Sequence, residues 1–483
     1  MSVLLVNPPV VSLHPKAGSG GESFVAGQKR RLRPDQYYSL PIEHLGLMSI
    51  AAYARSQGLA VETINGTVAG HNSVEETWNE INSVAQRSGT PALIGFTNID
   101  TFGEVEWLAN RCRQEWNDVK LVIGNVFATL NYQRLLRNHS FDFVVIGEGE
   151  VSFTRLAEAV LNGTPVDQVP ALAWKDEQGT IRTTPPTGVD LDQLPWPARD
   201  ELPHVLEMGF AGAVYSTRGC PYLCTFCGTG ATSDLLGRNR YRVRSIENMV
   251  DEIEYLKKDF GIDFISISDD LFLTKHNDMQ ARAKRFGDEM IRRKLGISFM
   301  FDSRVDSIVD LKLFEHLQQA GLRRVFIGLE TGSYDQLISY RKHHATPGED
   351  VAVKINALQD MGVEVIPGTI MFHPSVSPSE LRETLRLLKA TRYTAPRKLF
   401  DRITAYAGTP LYHEYAAKGY LTKDWPIGEW QFADQNAGRV YEQLAKHIGG
   451  NEDITFSDAE DFFLTRVAEW EAVAPNGHAQ PVC

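Results

Sequence analysis

Between residues 1 and about 165, short β-branched runs alternate with stretches of helical period. The runs are Val3–Asn7, Ala60–Ile64, Ala92–Thr97, Lys120–Gly124 and Phe141–Ile146. The helical stretches between and after them are Ile42–Gln57, Ser73–Gln86, Gly103–Trp116, Leu130–Asn138 and Glu150–Leu161. Such alternation predicts a parallel sheet with helices on both faces. Five strands suit a doubly wound, flavodoxin-like domain, whose ligand crevice lies outside the carboxyl ends of the strands. Those ends fall at Asn7, Thr97, Gly124 and Gly147.

Residues 166–210 break the pattern and are expected to link two domains. Val169–Trp174 and Thr180–Thr184 read as a hairpin, and "DLDQLPWPARDEL" as a connection that packs on the next domain. From 211 to 406 alternation resumes, with strands expected at Gly212–Ser216, Asp263–Ser268, Ile297–Asp302, Arg323–Leu329, Glu364–Ile370 and Lys398–Tyr406. Six βα units predict a partial (β/α)6 barrel of the TIM type, in which chemistry sits at the carboxyl rim of the strands. Residues 407–483 are polar and read as a helical C-terminal region. The fold class is therefore α/β, a doubly wound sheet followed by a partial barrel.

The 483 residues are 43% apolar and 23% charged, and carry a net charge of −12. Such a field does not favour nucleic acid. The basic run Lys29–Arg33 is expected to be a solvated loop. No apolar run is long enough to cross a bilayer, and the first residues read as a strand rather than a signal peptide. The cytoplasm is the expected location.

Three of the five cysteines stand together, as Cys220-x3-Cys224-x2-Cys227 in "GCPYLCTFCGTG". Cys112 lies in a helical pattern and is expected to pack; Cys483 ends the chain. A disulfide framework is excluded by the number and compartment. Zinc would need a further Cys or His, and His276, the next histidine, is poorly placed. Three thiolates without a fourth suggest a metal centre with one open position, and iron–sulfur clusters are held by thiolates.

The loop, with Phe226 before its third cysteine, resembles the cluster loop of the radical S-adenosylmethionine (SAM) superfamily. The resemblance implies a 4Fe-4S cluster on Cys220, Cys224 and Cys227, with SAM on the open iron. It implies reductive cleavage of SAM to a 5′-deoxyadenosyl radical, driven by an external electron donor of the flavodoxin or ferredoxin type. It also implies roles on the barrel rim. Asp269 and Asp270 would face the SAM amine or cap a helix. Ser303 and Arg304 would serve the SAM carboxylate or a structural ion pair. Glu330 would bond the ribose hydroxyls, and Phe226 and Ile370, within "VIPGTIMF", would contact adenine. Asp302, His373 and Arg402 end or follow strands and are suggested only by fold analogy.

"LLVNPP", "LGLMSIAAYARSQGLAVETIN", "IGFTNID" and "DFVVIGEGEVSFTRLAEAV" in the first domain, with "YAGTPLYHEYAAKGYL" at 406–420, resemble the superfamily branch that carries a cobalamin-binding domain. This implies cobalamin near Asn7, Thr97, Asn125, Gly147, Glu148 and Gly149. The glycine-rich segment 16–22 would cover the corrin or form a loop. Asn125 stands where this branch usually has glycine, and its side chain is expected to crowd the crevice. Two functions follow from the resemblance. One is cobalamin-dependent C-methylation of a small metabolite, such as an antibiotic precursor. The alternative is a cobalamin-independent radical dehydratase, cyclase or epimerase on a vestigial domain.

Overall fold

The computed structural model describes residues 2–9, 43–97, 102–186, 188–237, 241–342, 349–451 and 453–473. The glycine-rich segment 16–22, the basic run 29–33 and Cys483 lie outside the described residues.

The first sheet places its strands in the order Val61–Asn65, Val3–Asn7, Leu93–Phe96, Lys120–Ile123 and Phe143–Val145, all parallel. This is the expected doubly wound arrangement. "VLLVN" is apolar throughout because both its faces are covered: Leu4 and Val6 join one buried cluster, Val3 and Leu5 another. The hairpin Leu172–Lys175 and Ile181–Thr183 pairs antiparallel with Phe143–Val145 and extends this sheet to seven strands. The connection beyond it packs on the barrel. Arg199 is buried between Glu43 at 2.6 Å and Glu252 at 2.5 Å, and Trp196 donates to Asn248 Oδ1 at 3.0 Å.

The barrel has five consecutive parallel strands, Gly212–Val214, Phe264–Ile267, Ser298–Arg304, Leu322–Glu330 and Glu364–Thr369. A layer of phenylalanines fills the space between strands and helices, including Phe272, Phe286, Phe299, Phe301 and Phe314. The sixth expected strand, Lys398–Tyr406, narrows to a single parallel bridge between Phe372 and Arg402. Pro396 opens a 3-10 helix through Phe400, since its ring fixes φ and leaves no N–H for a ladder. Ala405–Tyr406 then pairs with Ile427–Trp430 in a small antiparallel sheet.

Helices Gln435–Gly449 and Phe456–Val473 complete the C-terminal region. The second is held to helix Pro378–Ala390 by Arg382–Glu471 and Lys389–Glu460. The region also reaches back to the first domain. Trp425 packs on Phe102 and Phe127, with Arg134 4.1 Å over its ring. Gly408 has φ +92, and a Cβ there would stand 2.7 Å from Cβ of Leu130, so "YAGTP" needs glycine for close approach. Among the described residues no helix is long and apolar enough to cross a membrane.

Candidate active site between the two domains

The carboxyl ends of the first sheet face the rim of the barrel across a cavity of about 790 Å3. Asn7, Thr97, Asn125, Gly147, Glu148 and Gly149 all line it. Thr217, Arg218, Gly219, Thr229, Ser268 and Asp270 line it from the barrel.

The sheet side is built for close approach. Gly147 has φ +89, and a Cβ would come within 3.0 Å of Leu236 in the barrel domain. A Cβ on Gly149 would come within 2.5 Å of Ile50 Cδ1, and one on Gly95 within 2.7 Å of Phe153. Gly95 also lines the cavity; within "IGFTNID" it looks like any strand glycine, so its role was not legible. Asn7 donates to Asn65 Oδ1 at 2.9 Å, and Asn65 to Glu201 at 2.9 Å, which ties the crevice to the connecting segment. Thr97 continues the strand, its N–H on the Val6 carbonyl at 3.2 Å.

Asn125 does not crowd the crevice by its side chain in the expected way. Its Oδ1 turns back to accept from the Ala128 N–H at 2.9 Å and caps helix Val126–Asn138. The backbone still shows why glycine suits the position, since its φ is +121. Such a conformation costs a non-glycine residue about 1–3 kcal/mol, whereas exchanging an Asn cap for Gly costs a few tenths. Asn125→Gly is therefore expected to raise the melting temperature or leave it unchanged, and Asn125→Ala to lower it, as differential scanning calorimetry will read.

Glu148 lines the cavity while paired with Arg242 and 3.5 Å from Arg218. Glu150, buried beside it, accepts from Arg218 at 2.5 Å and from Ser49 at 2.7 Å. Burial alone would raise its pKa, but the Arg218 charge and these hydrogen bonds hold it below the usual value. "GEGE" thus alternates glycines that permit contact with glutamates that bind arginines.

The cysteine loop follows Thr217–Arg218, and Cys227 precedes helix Gly228–Leu235. Thr225 fixes it from two sides, through its N–H to Tyr340 O at 3.1 Å and its carbonyl to Leu411 N at 2.9 Å. All three cysteines are unpaired, Cys224 buried and Cys220 and Cys227 half-buried. Burial pushes the Cys220 thiol up to about 12 and raises Cys227 as well. Among the described residues no three His, Cys, Asp or Glu are arranged to hold a single metal ion. A 4Fe-4S cluster makes no such demand, because each thiolate binds a separate iron. The donor set, three thiols on one tethered loop with no fourth protein ligand, fits a cluster with one open iron.

Other rim residues divide. Asp270 lines the cavity and accepts from Thr229 Oγ1 at 2.8 Å. Asp269 instead turns inward, accepting from Ser216 N at 2.6 Å, Ser216 Oγ at 2.5 Å and Thr217 N at 2.8 Å. It caps the end of the first barrel strand, not a helix. Phe226 sits edge-on to Tyr340, centroids 5.2 Å apart, as part of the hydrophobic core. Arg304 takes the structural ion pair, with Asp306 at 3.1 Å, stacks 3.7 Å over Tyr222, and donates to Cys224 Sγ at 3.5 Å. Ser303 is buried beside it, its hydroxyl on the Arg304 carbonyl at 3.5 Å. His373 is buried 3.7 Å from Glu380, and Arg402 lies 3.9 Å over Trp430 and donates to its carbonyl at 3.0 Å. Asp302 is half-buried on its strand.

Glu330 stands at a bulge between two barrel strands with φ +67, which aims its side chain out of the ladder. Its carboxylate pairs with Lys342, and its carbonyl accepts from Ile370 N at 2.6 Å. Lys342 was missed because it sits in no recognisable motif. If Glu330 bonds the ribose, Glu330→Gln should weaken SAM binding about ten- to a hundredfold, the cost of a charge-assisted hydrogen bond. Iron content should be unchanged. Loss of stability with unaltered SAM affinity, read by calorimetry, would leave the residue only its pairing with Lys342.

Comparison with known proteins gives the same two parts. The description "Radical SAM superfamily" matches residues 214–388, and "B12 binding domain" matches residues 38–157. An uncharacterized methyltransferase of Pyrococcus horikoshii is 26% identical, over 79% of this chain and 80% of that protein. An anaerobic magnesium-protoporphyrin IX monomethyl ester cyclase of Synechocystis is 25% identical, over 74% of this chain and 66% of that protein. Among solved structures, the cobalamin-dependent SAM radical enzyme OxsB superposes with a TM-score of 0.69 at 20% identity, over 92% of this chain and 66% of that one. The radical SAM methyltransferase TsrM of Kitasatospora setae superposes with 0.67 at 20% identity, over 87% and 77%.

Proposed function

We propose that this chain, which belongs to the radical SAM superfamily and carries a B12-binding domain ahead of its barrel, is a cobalamin-dependent methyltransferase acting on a small-molecule substrate. One observation carries the reading. The crevice of the first sheet opens on Arg218, Gly219 and Thr229, which flank the cysteine loop, and on Asp270, so corrin would lie against the loop that would carry the cluster. Gly95, Gly147 and Gly149 line the cavity, and each lets a neighbouring side chain, Phe153, Leu236 or Ile50, pack where a Cβ would stand. The methyltransferase relative matches across both domains.

Cys220, Cys224 and Cys227 would hold the cluster; Asp270 and Glu330 would orient SAM by its amine and ribose. Asn7, Thr97, Asn125, Gly147 and Gly149 would form the corrin wall. When bound, the cluster supplies the electron that cleaves SAM, and cobalamin supplies a methyl carrier. Arg304 holds its guanidinium against Cys224 Sγ at 3.5 Å and would help to fix that side of the loop. The phenylalanine layer and the Trp425 contact hold the two walls in place. The electron would come from a flavodoxin- or ferredoxin-type donor, in keeping with a cytoplasmic location. The side-chain cap made by Asn125, and the burial of Phe127 in the core, support this reading over a cobalamin-free dehydratase or cyclase.

The test is anaerobic reconstitution with iron, sulfide and SAM, with and without hydroxocobalamin. S-Adenosylhomocysteine should form only in the cobalamin-loaded protein. Deoxyadenosine formation and substrate turnover that are indifferent to cobalamin would transfer the reading to a radical lyase or cyclase.

A further inference from the structure

The ribbon that leads into the cysteine loop carries two arginines, and both bind glutamates of the first domain. Thr217–Arg218 pairs antiparallel with Arg242–Val243. Arg218 binds Glu150 at 2.5 Å and lies 3.5 Å from Glu148; Arg242 binds Glu148. Arg218 is two residues from Cys220, and Glu150 opens the helix Glu150–Asn162 at the crevice. Arg218 also stacks over Tyr215, its guanidinium 4.7 Å from the ring centroid. The two charge pairs therefore join the ribbon that leads into the cysteine loop to the carboxyl end of the sheet.

A structural salt bridge at a domain interface needs no such position. We infer that Arg218 and Arg242, through Glu150 and Glu148, are positioning residues that fix the spacing between the cluster and the corrin; this rests on the function proposed above. Their part is to hold two independently bound cofactors at one separation, the condition for passing a group or an electron between them.

Removing only Arg218 would leave the buried Glu150 carboxylate with the Ser49 hydroxyl but no counter-charge, which is strongly destabilising, whereas removing both charges is often tolerated. The informative variant is therefore Arg218→Met combined with Glu150→Gln. The unaltered and variant proteins are loaded with iron, sulfide and hydroxocobalamin, reduced, and compared by pulsed electron paramagnetic resonance between the two paramagnetic centres. Iron and corrin contents are measured on the same samples. The unaltered protein should give one narrow separation. The variant should keep both cofactors, with the separation broadened by about 1 Å, the looseness expected when a supporting shell is lost. A variant with an equally narrow separation overturns the inference and leaves the function standing. If the double variant fails to fold, Arg242→Lys, which shortens the reach to Glu148 while keeping the charge, carries the same measurement. An unaltered protein that retains iron but no corrin overturns the inference together with the function on which it rests.

Discussion

Replacing Cys224 by alanine is expected to abolish both iron loading and reductive cleavage of SAM. The loop has only three thiols, and among the described residues no further Cys, His or carboxylate converges with them on one point. Loss of one ligand opens a second iron to solvent, and no neighbour can replace it. Cys224 is the most buried of the three and the one that Arg304 approaches, so its removal also strips the arginine of a partner. Cys220→Ala and Cys227→Ala should behave alike. Cys112→Ala is the control: this thiol is fully buried in the first domain, and burial pushes its pKa up to about 12. Its loss should cost about 1 kcal/mol of packing and no iron. Iron and sulfide assays with deoxyadenosine quantification check all four variants. Full cleavage by an iron-free Cys224→Ala protein would falsify the assignment of the loop.

The cysteine loop stood out because its pattern is local: three thiols within eight residues need no knowledge of the fold. The sheet was legible for a related reason. Strands covered on both faces must be apolar throughout, and "VLLVN" or "KLVI" announces itself. Residues whose role depends on partners far along the chain were not legible. Asp269 and Asp270 are adjacent in sequence, yet one caps backbone N–H groups at Ser216 and Thr217 while the other opens on the cavity. Only the pairing of the first two barrel strands separates them. Glu330 was singled out from its place after a strand, but its partner Lys342, twelve positions on, has no pattern of its own. The sixth strand was overextended because "KLFDRITAY" has strand-like composition, while Pro396 and the bridge to Phe372 confine its pairing to one residue.

Gly149→Val is expected to lower corrin affinity at least about a hundredfold, equivalent to some 2.7 kcal/mol. The first consequence of the substitution is inside the domain: a Cβ would stand 2.5 Å from Ile50 Cδ1. That atom ends a flexible side chain and can shift, so the clash alone should not unfold the sheet. The second consequence is at the cavity. Gly149 lines it at the start of helix Glu150–Asn162, where no side chain caps the backbone. A branched side chain there occupies the space through which a flat ligand would approach. Ile50→Ala separates the two effects: added to Gly149→Val it relieves the internal clash but not the obstruction. The double variant should regain thermal stability without regaining corrin. Equilibrium dialysis against hydroxocobalamin under anaerobic conditions reads the affinity, and calorimetry the stability. Recovery of corrin binding in the double variant would show that Gly149 acts through Ile50 alone. Failure of the unaltered protein to retain corrin, with deoxyadenosine formed on adding substrate, would sink the methyltransferase reading. The first sheet would then serve as a wall over the barrel mouth for a radical dehydratase or cyclase.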